Sequence, residues 1–120
     1  MIDRVRLTGN WALVKHGRVD HLGNYHPTGE QMNGQLIYAA DGSMSVLITK
    51  VPEPILVSDI IAYSGSFYVE GGKVLHHIKV SPYPKRLSTT EMRFASFRGD
   101  DLVLTTDPDQ GGRYEIVWRK

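Results

Sequence analysis

An all-β fold, a single antiparallel up-and-down barrel of about eight strands, is what this sequence predicts. Three observations carry that prediction. Apolar residues recur at a period of two in run after run, with almost no helical spacing. Val, Ile, Thr and aromatic residues fill those runs. Turn residues separate them at short intervals, and the 12 glycines and 6 prolines are spread along the 120 residues rather than clustered in a linker.

Taken in order, residues 1–8 read as a lead-in with one turn of helix. Residues 9–15 form a first strand with Trp11 and Leu13 facing inward. Residues 16–33, rich in Gly, His, Asn and Pro, read as a long loop with a short irregular strand near 19–22. A loop of that length in a small domain suits a lid over a site. Residues 34–40 and 43–49 pair through Asp41-Gly42, a strong hairpin signal, with Met44, Val46 and Ile48 on one face. Pro52 and Pro54 end the second of these strands, because neither can donate to a ladder. Residues 55–60 fit either a helical turn or an extended link.

The most regular stretch is 61–80. Ile61, Tyr63, Gly65, Phe67 and Val69 share a face, and Glu70-Gly71-Gly72-Lys73 supplies a turn in which glycine reaches positive φ. On the return strand Val74, His76, Ile78 and Val80 alternate with Leu75, His77 and Lys79. His76 is thereby sent to the core and His77 to the outer face. After a loop at 81–85, residues 89–97 form a strand. Its Thr90, Met92, Phe94 and Ser96 face is read as the inner one, and alternation sends Arg93 outward. A turn at 98–101, a short strand at 102–106, a loop at 107–112 and a closing strand at 113–119 complete the chain. Tyr114, Ile116 and Trp118 share a face of that last strand.

A meander of this kind tends to close on itself, because closure removes its unpaired edges. A barrel of about eight strands encloses room for side chains or for one small ligand. The outer face, with Leu47, Leu75 and Phe97, is mixed rather than polar. Part of it is expected to be covered, a second copy forming a homodimer being one candidate.

Composition narrows the function. The net charge of +1 gives no electrostatic footprint for nucleic acid. No apolar run spans a bilayer, so no membrane insertion is expected. The first residues lack the apolar core of a secretory leader, and there are no cysteines to form disulfides or thiolate metal sites. A cytoplasmic location is the expectation. No phosphate loop, nucleotide fingerprint, nucleophile elbow or pair of carboxylates at catalytic spacing occurs, so no cofactor is expected.

His76 is the first candidate for chemistry: an imidazole in a lumen can orient a polar group or move a proton near neutral pH. Tyr38, Tyr63 and Tyr114 could present phenols to a ligand. Met44, Phe67, Met92, Phe94 and Trp118 would form an adaptable apolar wall. For each of these the plainer alternative is core packing. Arg93 would bind a carboxylate if it faced the lumen. His16, His21 and His26 recur at five-residue spacing, which matches no common zinc pattern, and a polar loop without metal is the better reading.

Four stretches carry a family resemblance. They are Gly9-Asn10-Trp11-Ala12-Leu13-Val14; Gly34-Gln35-Leu36-Ile37-Tyr38 with Asp41-Gly42-Ser43-Met44-Ser45-Val46; Ala62-Tyr63-Ser64-Gly65 with Val74-Leu75-His76-His77; and Gly99-Asp100-Asp101-Leu102-Val103-Leu104 with Val117-Trp118-Arg119. In this order they resemble the bacterial and fungal lipocalin-like domain proteins. The resemblance implies that residues 1–120 are one lipocalin-like β-barrel domain with a small-molecule cavity. It also implies that Trp11 packs at the closed end with Arg119 stacked across it. The chain is short between Lys50 and Ile61, where relatives often carry a helical insert.

The expected function is binding of a small apolar or amphipathic molecule in the lumen, oriented by Tyr63 and His76. The alternative is a cofactor-free cyclase, isomerase, hydratase or lyase in natural-product biosynthesis, with the same pair as acid–base or orienting groups. A ligand-free module that dimerises through its outer face comes third.

Overall fold

The computed structural model of the chain describes residues 2–28, 31–51, 60–109 and 111–120. A one-turn helix, α1 (Arg4–Leu7), precedes nine strands: β1 (Gly9–Val19), β2 (Tyr25–Pro27), β3 (Gln31–Tyr38), β4 (Ser43–Val51), β5 (Ile60–Glu70), β6 (Lys73–Val80), β7 (Thr90–Arg98), β8 (Asp101–Thr105) and β9 (Arg113–Arg119). A 3-10 turn, Pro84–Arg86, lies between β6 and β7. From β3 to β9 each strand pairs antiparallel with the next.

Closure depends on the length of β1. Its first residues, Gly9 to Ala12, pair with β3, while Ala12 to Val19 pair with β9. Eight strands therefore close the barrel, and β2 is an extra strand laid on the far half of β1, where Gly17 pairs with Pro27 and Val19 with Tyr25. No helix among the described residues is long and apolar enough to cross a membrane.

The stretch 16–33 is mostly strand, not a loop or a lid. β1 continues to Val19, and Asp20 builds the turn into β2: its carboxylate accepts the Leu22 and Asn24 N–H groups at 2.9 Å each. Polar, glycine-bearing composition here reflects an exposed hairpin. The proline-terminated segment and the ambiguous 55–60 stretch fall in 52–59, outside the described residues, except Ile60, which begins β5.

The hairpins follow their turn chemistry. At β3–β4, Gly42 sits at φ +94° and the Asp41 carboxylate accepts the Ser43 N–H at 2.9 Å. At β5–β6, Gly71 sits at φ +63°. The pairing of β5 with β6 shifts register between Ser64 and Gly65. A Cβ at Gly65 would lie 1.9 Å from the His77 carbonyl oxygen, so only glycine permits that approach.

The end of the barrel with these turns is closed. Leu7 of α1 and Ile2 are buried in the core, and the Trp11 indole N–H donates to the Leu7 carbonyl at 2.8 Å. The cation over the Trp11 ring is Lys120, 4.9 Å from the centroid, rather than Arg119. Arg119 turns outward because Asp101 holds it through two hydrogen bonds of 2.8 and 2.9 Å.

Phase departs from the sequence reading at the end of β6, where Val80, read as inward, is exposed beyond the register shift with β5, and along β7. On β7, Val74 stands opposite Arg93 and His76 opposite Glu91, so Glu91, Arg93, Ala95 and Phe97 face inward. Met92 and Phe94, expected in the lumen, are on the outer face. Phe97, expected outside, packs against Trp11 at 6.3 Å between ring centroids. On β1 the inward faces of Trp11 and Leu13 are as read, and a bulge between Leu13 and Lys15 resets the alternation beyond them. Val14 is exposed, and His16 faces in again, opposite Ile116.

Candidate functional site

The adjacent strands β5 and β6, with β3 one strand beyond on the other side of β4, bring three polar side chains together in an otherwise apolar core. Tyr38 on β3, Tyr63 on β5 and His76 on β6 are all buried, His76 at 2% exposure. Tyr38 Oη lies 2.5 Å from His76 Nε2, and Tyr63 Oη lies 2.7 Å from His76 Nδ1. The imidazole is thus held between two phenols.

Burial fixes the charge of all three groups. It pushes the His76 pKa down to about 3, with the nearby Arg93 guanidinium adding to the effect. It raises the Tyr63 hydroxyl to about 12 and that of Tyr38 well above its ordinary value. All three are neutral at pH 7.

Neutrality then decides the proton arrangement. A neutral imidazole offers one N–H and one lone pair. Tyr38 is almost fully enclosed, and its hydroxyl has no other acceptor among the described residues, so its O–H must donate to Nε2. His76 Nδ1–H accordingly donates to Tyr63 Oη. The Tyr63 proton is left over, and Tyr63 is the phenol of the pair that borders a cavity.

That cavity has a volume of about 50 Å³. Tyr63, His76, Trp118, Arg86 and Arg93 border it, with Leu36, Val46, Ile48, Ile61, Leu104 and Ile116 as its aliphatic wall. It has room for one or a few waters, or for a group of carboxylate size. A drug-sized ligand needs roughly 300 Å³ or more. Most of the lumen is filled by the chain's own side chains.

At its open side the cavity meets a charged cluster. Glu91 accepts from Arg86 at 3.2 Å and from Arg93 at 3.3 Å, and Arg93 also donates to the Met92 carbonyl at 2.8 Å. The Arg86 guanidinium lies 5.6 Å from the Tyr63 ring centroid. One carboxylate therefore serves two cations. On the cavity wall, the Trp118 indole Nε1–H is buried and has no acceptor among the described residues.

The other sequence candidates are placed as follows. Phe67 and Met44 are buried nearer the closed end, where Phe67 packs on Tyr38 at 4.6 Å between ring centroids. They support the site without bordering the cavity. Tyr114 faces inward on β9 but meets His16 and Thr28 instead of His76. Phe94 lines a larger groove, about 580 Å³, on the outside of the barrel with Lys15, Tyr25 and Arg98. His26 pairs with Asp20 at 2.7 Å, and no metal-binding cluster occurs among the described residues.

Of the two arginines at the cavity, Arg86 carries no signal in the sequence, and Arg93, a carboxylate-binding candidate if inward, is assigned to the outer face by alternation. Arg86 lies in what looked like a plain loop after a Pro-Tyr-Pro run, and nothing local points it at the lumen. Arg93 was placed outside because the Met92 and Phe94 face is the more apolar. The acid–base signal that could have found it is Glu91 two positions earlier on the same face.

Fold and site together define a closed antiparallel β-barrel with a mostly filled lumen and a small, mainly aliphatic cavity bordered by a few polar groups, a form compatible with ligand binding. The family model described as a lipocalin-like domain matches residues 8–120, and the chain belongs to that family. No curated protein matches the chain.

Proposed function

We propose that this protein binds a small amphipathic molecule, seating its polar end in the lumen cavity and its apolar part along the open side of the barrel. The observation that carries this reading is the Tyr38–His76–Tyr63 chain, which leaves one hydroxyl proton directed to the cavity side. A buried hydrogen-bond chain costs desolvation, and the one here ends in a donor that the core does not use. The cavity volume limits what enters to a polar group, so the apolar part of the molecule stays outside the cavity, on its open side.

The proton affinities favour binding over acid–base turnover. A base with a pKa of about 3 and an acid of about 12 are both poorly matched to proton transfer at neutral pH. A second reading stays in view through one distance. With His76 Nδ1 at 2.7 Å, the Tyr63 hydroxyl is oriented as a donor that could polarise a carbonyl, as a cofactor-free isomerase or cyclase requires.

Native mass spectrometry of the undenatured protein tests the reading. The expected spectrum carries a copurified small molecule at one per chain, lost in Tyr63→Phe. Retention of that mass by both Tyr63→Phe and His76→Gln would remove the hydroxyl chain from recognition. The same spectra give the subunit count and so address the homodimer.

A further inference from the structure

We infer that the polar group this cavity accepts is a carboxylate. The inference rests on the lumen-binding reading above and narrows it to a chemical class. It follows from an inventory of what borders the cavity. Tyr63 brings an O–H whose proton is not consumed by His76. Trp118 brings a buried Nε1–H without an acceptor. Arg86 and Arg93 bring guanidinium N–H groups. Each of these is a donor.

The acceptors are already committed. The imidazole lone pair takes the Tyr38 proton, and the Glu91 carboxylate takes both arginines. A ligand that brings further donors would meet other donors, which leaves buried polar groups unpaired. A ligand that brings only acceptors satisfies the set.

Charge separates a carboxylate from a neutral carbonyl or ether. Two guanidinium groups face one carboxylate, and His76 and Tyr63 are neutral, so the described residues around the cavity carry one positive charge in excess. A planar anion matches the fork of a guanidinium, and charge-assisted hydrogen bonds are about twice as strong as neutral ones. The volume agrees, because about 50 Å³ takes a carboxylate while excluding a ring or a branched head.

The test uses hexanoate, hexanol and hexylamine as a matched series, read by the indole N–H resonances of the two tryptophans. Trp118 is the reporter, assigned with Trp118→Phe. Trp11, already bonded to Leu7, is the internal control. Hexanoate is expected to move the Trp118 resonance saturably and leave Trp11 in place. Hexanol should bind at least about tenfold more weakly, and hexylamine should not register. Arg93→Gln should lower hexanoate affinity about tenfold without changing that of hexanol, and Arg93→Lys should restore part of it.

Equal binding of hexanoate and hexanol would overturn the carboxylate assignment while lumen binding stood. A hexanoate preference unchanged in an Arg86→Gln, Arg93→Gln double variant would overturn it as well. Failure of every member to move Trp118 would overturn both this inference and the reading beneath it.

Discussion

Acidification from about pH 7.5 to about pH 5 should remove about 2 kcal/mol of folding stability through His76 alone. The folded protein holds this imidazole neutral, with a pKa of about 3, against an ordinary value of 6.5. The sign follows from which state takes up the proton. Below pH 6.5 the unfolded chain protonates His76 and the folded one does not, so the unfolded state gains. Stability is complete above the unfolded value and declines as the pH falls toward about 3, where the folded state begins to protonate as well. Each pH step within that window is worth about 1.4 kcal/mol, and about pH 5 lies 1.5 steps below the unfolded value. Urea unfolding at the two pH values, for wild type and His76→Gln, isolates the effect. Glutamine keeps one donor and one acceptor for the two phenols but does not titrate. The wild-type midpoint should fall by about 1–2 M more than that of the variant. Equal pH slopes in the two proteins would refute a neutral imidazole buried between two hydroxyls.

Four other outcomes are expected. Long-range nitrogen–proton NMR should find the His76 proton on Nδ1, and an Nε2–H tautomer would reverse the donor chain. Tyr38→Phe should cost about 1–3 kcal/mol in chemical unfolding, because it leaves the Nε2 lone pair buried without a donor. Phe67→Ala should cost about 3–5 kcal/mol, while Phe94→Ala should cost well under half as much and leave ligand affinity unchanged, since its ring lies outside the barrel. Gly65→Ala should cost about 2–3 kcal/mol or prevent folding, because its Cβ would overlap the His77 carbonyl; wild-type stability in that variant would dismiss the close approach.

Local signals determined much of this protein. The hairpins at Asp41-Gly42 and Gly71-Gly72 are written in residues that favour their turns, and the period-two runs between them set the strands. They also sent Tyr63, Phe67 and His76 inward together, since alternation counted from the shared Gly71-Gly72 turn holds until the register shift near Val80. The one-turn helix before Gly9 was visible for the same local reason.

What needed the tertiary structure was phase wherever a strand lacks such anchors. On β7 the more apolar set faces out, because the inner set carries Glu91 and Arg93 as a compensated pair and Phe97 to fill the base against Trp11. Apolarity alone weighs Met92 and Phe94 above them and ignores pairing. On β1 a bulge carries no sequence mark, yet it turns His16 inward and lets the strand continue into what composition labels a loop. The cavity followed the same rule. That His76 is inward was legible in its neighbours; that two tyrosines from different strands hold its two nitrogens, and that Arg86 arrives from a distant turn, depends on closure. Side-chain spacing along one strand fixes a face, but only the register between strands decides what meets across the lumen.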